Sequence, residues 1–309
     1  MRRSRIWAFA FCFLFLFTAC GASGNSSNTQ MQDTAQIERL STLLKQLERV
    51  EDYTASIETK AEINQGGILQ STSSSADITA VNDPFARKVS VTTTIDNDEF
   101  SHTVYVVESE QEDTVSVYTN TQDAWSYLSR DRASMEQSLQ MYDVQDNLLA
   151  FLQNATQWSQ TEKKPESYTA VIPAEQVYTV VNGSDILVDL GLGDLPEEYY
   201  EGVDAISITL TLPESLNQTC TVSLDLKNVV DTVMNHVMQQ LGNIVEYEVT
   251  ACTAEYQLMH VNAGEKITVP EEARQHSVDY ANNQSDGQTA ALEEATEENH
   301  AESTMETVK

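Results

Sequence analysis

Apolar residues recur at every third or fourth position from Ile37 to Val50, through Leu40, Leu43, Leu44 and Leu47, with polar residues between them. That spacing predicts an amphipathic helix with one buried stripe, capped by Asp33 or Thr34. From Tyr53 the period becomes two: Tyr53, Ala55, Ile57, Thr59, Ala61 and Ile63 alternate with Thr, Ser, Glu and Lys. Such alternation predicts a strand with one face on a core and the other in water. Gly66-Gly67 marks a turn, a Ser-rich strand runs on to Val81, and Asn82-Asp83-Pro84 makes the next turn. The stretch from Ser71 to Ser75 is too polar for a fully covered strand and is expected at a sheet edge. Val89, Val91, Thr93 and Ile95 alternate again up to the turn at Asp96-Asn97-Asp98-Glu99. Further strands are expected from His102 through Val104 and Val106, over 114–119, and over 124–129.

Helical spacing returns from Asp131 to Asn154, with Leu139, Tyr142, Leu148, Leu149 and Leu152 available to pack on a sheet. Ser167 to Ile172 reads as a strand, and Pro173 opens another helix at its first turn. Val203 to Leu212, carrying Ile208 and Leu210, and Thr219 to Leu226 form a strand pair. Asn228 to Leu241 reads as a helix inserted before a long strand from Ile244 to His260, and Ile267-Thr268-Val269-Pro270 closes the domain. Consecutive strands with helices grouped between them define an α+β fold on an antiparallel sheet, not a series of βαβ units.

Composition narrows the function. Lys and Arg number 17 against 48 Asp and Glu, a formal net charge of -31, which excludes nucleic acid and electrostatic attraction to anionic lipid as modes of binding. Hydrophobic content of 40% suffices for a packed core. Much of the acid lies after Pro270, in a run with few apolar residues that reads as a solvated tail over 271–309. At the other end Arg2, Arg3 and Arg5 precede an apolar stretch, Ile6 to Phe17, that ends in Thr18-Ala19-Cys20. This is the order of an export signal, and about 12 apolar residues reach only roughly 18 Å, too short to span a bilayer. The segment Phe17-Thr18-Ala19-Cys20 resembles the lipobox of bacterial type II signal peptides, with Phe17 where an aliphatic residue is usual. The resemblance implies cleavage before Cys20 and acylation of its thiol. The expected organisation is therefore a signal peptide over 1–19, a flexible tether over 20–34, one domain over 35–270, and the tail. The localisation is extracytoplasmic, anchored to the bacterial cell membrane by the N-terminal lipid.

Cys12 leaves with the signal and Cys20 carries the anchor, so Cys220 and Cys252 remain. An oxidising envelope would permit a structural disulfide between them. Strand parity opposes it: Cys220 shares a face with Val222 and Leu224, whereas Cys252 alternates with Glu248 and Thr250. A bulge would remove the mismatch, so both readings stay open. Signatures of catalysis and cofactor binding are missing: no Gly-x-Ser-x-Gly, no His-Glu-x-x-His, no phosphate loop, no dinucleotide glycine pattern. His102, His236, His260, His276 and His300 are scattered without ligand spacing, and Asp96 to Glu99 lacks the glycine of a calcium loop, so no metal site is expected. Gly191-Leu192-Gly193 has no following basic residue to hold a phosphate. Trp125, Tyr127 and Trp158 fit either a core or a ligand surface.

The order of elements carries a resemblance. A lipobox, a tether, a helix running straight into Val50-Glu51-Asp52-Tyr53-Thr54, a meander, a helical interlude and a terminal Ile-Thr-Val-Pro-Glu-Glu-Ala together resemble envelope lipoproteins of the LolA and LppX type. The similarity covers roughly Gln36 to Ala273. It implies a curved antiparallel half-barrel with helices on its concave side, and a non-catalytic carrier that takes a lipid, acyl chains or a lipoprotein into an apolar cavity. The strand residues expected to line that cavity are Tyr53, Ile57, Val89, Val91, Val104, Val106, Ile208 and Leu210. The alternative is a structural lipoprotein without a cavity that docks another envelope protein. That alternative predicts a filled core and an exposed apolar patch.

Overall fold

A computed structural model describes residues 38–161, 164–212, 218–242, 247–276 and 278–279. The signal peptide, Cys20, the tether and the acidic run beyond 279 lie outside the described residues. The chain divides into two units, Met1–Thr42 and Leu43–Lys309. In the first, 38–42 are helical; the second is the α+β domain. Helix α1 covers 38–47, and of its stripe Leu43 and Leu47 are buried, as is Val50 just beyond.

Among the described residues eleven strands form one open antiparallel sheet. They are β1 (Asp52–Gln65), β2 (Ile68–Val81), β3 (Ala86–Ile95), β4 (Asp98–Glu108), β5 (Thr114–Thr121), β6 (Ala124–Asp131), β7 (Thr156–Thr161), β8 (Lys164–Ile172), β9 (Ile206–Thr211), β10 (Cys220–Asp225) and β11 (Tyr247–Met259). A two-residue strand β12 (Val278–Asp279) pairs parallel with β6. The spatial order is β12-β6-β5-β4-β3-β2-β1-β11-β10-β9-β8-β7, so the sheet has two ends and does not close into a barrel. The helices are α2 (Arg132–Ser138), α3 (Val144–Asn154), α4 (Ala174–Ser184), α5 (Lys227–Gln240) and α6 (Glu271–His276).

One face of the sheet, called inner here, holds the core. Register makes it continuous: Ile57 lies opposite Ala76 and Tyr256, Ala76 opposite Val91, Tyr256 opposite Val222, and Val222 opposite Leu210. All six are buried. Because side chains alternate, the residues between them, such as Ser56, Glu58 and Asp77, fall on the outer face. Phe151 of α3 meets Tyr256 edge to face at 5.1 Å, and Val229, Val230 and Val233 of α5 are buried. A polar junction joins these layers at one end. Asn82 donates to the Val50 carbonyl (2.8 Å), Gln145 donates to the Leu47 carbonyl (2.8 Å), and buried Arg87 donates to the Val81 carbonyl (2.7 Å).

Several expectations need correction. Ser71 to Ser75 lie in β2, which sits inside the sheet between β1 and β3, not at an edge. Hydroxyls make this tolerable: buried Ser74 pairs with Thr93 across the strands, at 3.4 Å between their oxygens. The helical spacing from Asp131 to Asn154 resolves into two α-helices: α2 ends at Ser138, a 3-10 turn spans Gln140–Tyr142, and Asp143 caps α3 by accepting from the Asp146 amide. Strand β7 is an edge strand whose sequence Thr-Gln-Trp-Ser-Gln-Thr has no alternation to betray it. The folded part also extends past Pro270: α6 buries Ala273 completely, and β12 follows it. The tail therefore cannot begin at 271.

Cys220 and Cys252 are free and buried. The bulge that parity demanded exists: Ala251 pairs with Glu62 and Val249 with Ile63, which leaves Thr250 extra and turns Cys252 to the inner face opposite Ala61. Register nonetheless separates the thiols, since Cys220 lies opposite Leu258, six residues along β11 from Cys252. At about 3.4 Å per residue that is roughly 20 Å, beyond any disulfide.

Candidate binding surfaces

The eight residues expected to line a cavity all lie on the inner face, as register requires. Tyr53, Ile57, Val89, Val91, Val106, Ile208 and Leu210 are buried, and Val104 is half-buried. They contribute to packing: the Tyr53 hydroxyl donates to Asp143 at 3.4 Å, and its burial together with the Asp143 charge raises its pKa. Where Ile186, Leu187 and Leu190 cover Ala61 and Cys252, the void is about 10 Å³. That is room for about one water, against roughly 300 Å³ or more for an ordinary ligand cleft.

A polar cluster adjoins this cover. Asp185 sits in the left-handed region at φ 54° as the C-cap of α4, and burial plus the Asp194 and Asp189 charges raise its pKa. Burial raises Tyr142 to about 12 and pushes Tyr256 up further, with the charges of Asp189 and Asp185 adding to both. The fully buried Tyr256 hydroxyl and one Asp189 carboxylate oxygen have no hydrogen-bond partner. Glycine serves this turn: Gly191 adopts φ 71°, and a Cβ on Gly193 would lie 2.9 Å from Asp185 Oδ1. Among the described residues no group of three His, Cys, Asp or Glu side chains is arranged to hold a metal ion.

Two surfaces remain. On the inner face, beyond the cover of Ile186 to Leu190, Ile68, Ile95 and Phe100 are 69%, 48% and 54% exposed. Phe100 is the inner-face neighbour of Asp98, which pairs with Ile95, so these two apolar side chains are diagonal neighbours. Only the alternation ending at Ile95 hinted at this strip, and no sequence signal separated it from core. On the outer face an open groove of about 320 Å³ crosses β3, β4 and β5 at Ser90, Thr92, Ser101, Thr103 and Asn120. Trp125, opposite Asn120, and Tyr127 are half-buried on the same face. Trp158 lies elsewhere, on edge strand β7, where its indole N–H donates to the Ala155 carbonyl at 3.2 Å.

Three histidines have described side chains. His102 is exposed, a ring nitrogen of His260 lies 2.9 Å from the Thr54 hydroxyl, and one of His236 lies 2.6 Å from the Tyr199 carbonyl. No protein-family profile matches the sequence, and no curated protein is significantly similar to it. The chain is thus defined by its own architecture: an α+β protein on an open, mostly antiparallel sheet, one face of which holds the core.

Proposed function

We propose that this chain is a non-catalytic lipoprotein of the bacterial envelope, anchored outside the membrane by acylated Cys20, that works through the surfaces of its sheet and not through an internal cavity. The observation that carries the reading is the burial of the expected cavity residues, with a void of only about 10 Å³ under Ile186, Leu187 and Leu190, together with apolar side chains left in water at Ile95 and Phe100 and, further along β2, at Ile68. Apolar groups that fold into no core are most economically explained by a partner that covers them. The net charge of -31 favours a protein partner over an anionic surface. The LolA and LppX kinship belongs to this reading too: the element order supports a half-barrel ancestry in which the cavity has been filled by packing.

Two experiments test it in cells. Labelling with radioactive palmitate is expected in the full chain and absent in Cys20→Ala. A photo-crosslinking amino acid at position 100 is expected to give a discrete protein adduct, whereas one at Glu58, on the outer face, gives none. Identical adduct patterns from both positions would remove the case for the strip.

A further inference from the structure

The outer face carries rows of side chains set by register. One row runs Lys88, Tyr105, Tyr118, Tyr127 from β3 to β6. The next row runs Asp77, Ser90, Thr103, Asn120, Trp125 from β2 to β6. Ser90, Thr92, Ser101, Thr103 and Asn120 with the turn residues Gln122 and Asp123 line the groove of about 320 Å³, and register sets Tyr105 and Trp125 beside it as its aromatic flank. The aromatic wall is built and held. Tyr105 and Trp125 are 6.0 Å apart, Tyr118 and Tyr127 are 5.2 Å apart, and the Lys88 ammonium lies 5.7 Å over the Tyr105 ring. All four rings are half-buried, so each keeps part of its surface in water.

The chemistry selects a ligand class. Hydroxyls and the two amides can donate to and accept from many ligand hydroxyls, and the carboxylate of Asp123 accepts with added strength. The aromatic wall offers flat apolar surface to a ring that has C–H groups on one face and hydroxyls on its edge. Phosphorylated or otherwise anionic ligands are opposed by the charge of -31, with Lys88 the lone cation in these two rows and already seated on Tyr105. An acyl chain is opposed by a floor of hydroxyls. We propose that this groove is a binding site for a neutral oligosaccharide, with a sugar ring stacked against the Trp125 and Tyr105 wall and its hydroxyls met by Asn120, Gln122 and Asp123. The site is on the face opposite Ile68, Ile95 and Phe100, so it stands or falls separately from docking there.

The test uses the mature chain with Cys20→Ser for solubility. Trp158→Phe leaves Trp125 as its single tryptophan. Cellotetraose, maltotetraose and chitotetraose are titrated one by one while Trp125 fluorescence is read, with calorimetry on the chain that retains Trp158 as a measurement independent of that substitution. Saturable binding of at least one, with a Kd on the order of 0.1 to 1 mM, is expected. Trp125→Ala and Asn120→Ala are expected to weaken it about tenfold or more, and Phe100→Ser to leave it unchanged. The proposal is overturned by no saturable signal from any of the three up to about 10 mM. Equal affinity in Trp125→Ala overturns it, and so does tighter binding of inorganic polyphosphate than of every sugar.

Discussion

Replacing Phe151 by Ala separates a filled interior from a hollow one. Phe151 is fully buried on α3 and meets Tyr256 of β11 edge to face at 5.1 Å, and Tyr256 is itself fully buried. Truncating such a ring in a close-packed core costs about 3 to 5 kcal/mol, transfer and cavity terms together. The lost aromatic pair accounts for up to about 1 kcal/mol of that sum. The Tyr256 hydroxyl, without a partner already, gains none from the substitution. For a domain of this size each kcal/mol moves Tm by about 2 to 4 °C, so Phe151→Ala is expected to lower Tm by about 6 to 20 °C. Urea titration followed by far-UV circular dichroism should give the same loss through the midpoint, with the slope unchanged. A side chain lining an empty lipid cavity would have fewer packing partners to lose. A measured loss below about 1 kcal/mol would therefore refute the packed-interior argument.

Four other outcomes follow from the same geometry. Both thiols are buried and burial pushes each up to about 12, so Cys220 and Cys252 should resist thiol reagents in the native state and react fully in denaturant, with reductant leaving Tm unchanged; a reductant-sensitive Tm would contradict the register. Gly193→Ala should cost about 1 to 3 kcal/mol in urea, because its Cβ would meet Asp185 Oδ1 at 2.9 Å and Val188 at 3.1 Å. Asp185 has a raised folded pKa, so its charge is a cost at neutral pH that disappears as pH falls through that value toward the unfolded one. Asp185→Asn, which suits the left-handed backbone, should thus raise Tm at pH 7 and converge with the parent near pH 3.5 to 4. Phe100→Ser should change stability by no more than about 0.5 kcal/mol by the same assay, since the ring is 54% exposed.

Much of the sheet was legible because one face is buried and a period of two cannot be shifted without exposing it. Tyr53, Ala55, Ile57 and Ala61 declared β1, and the alternation through Ile208 and Leu210 declared β9. The failures were at places where polarity no longer reports position. Ser71 to Ser75 looked like an edge because cross-strand hydroxyl pairing, Ser74 with Thr93, is invisible in one sequence. Strand β7 and helix α6 are short, polar and held by neighbours instead of by their own pattern. The bulge at Thr250 defeats strand parity for Cys252, and a single sequence does not show where a bulge falls. For Trp125 and Tyr127 the sequence left core and ligand surface open, and the groove beside them was not legible, because it depends on register across β3 to β6.

The central claim is that the interior is filled and the surfaces do the binding. Native mass spectrometry of the Cys20→Ser chain, exported to its own compartment and purified without detergent, tests it directly. The account predicts the mass of the bare polypeptide, with nothing added that organic solvent removes. A stoichiometric lipid released by solvent, and lost when Ile57→Trp crowds the inner face, would contradict it.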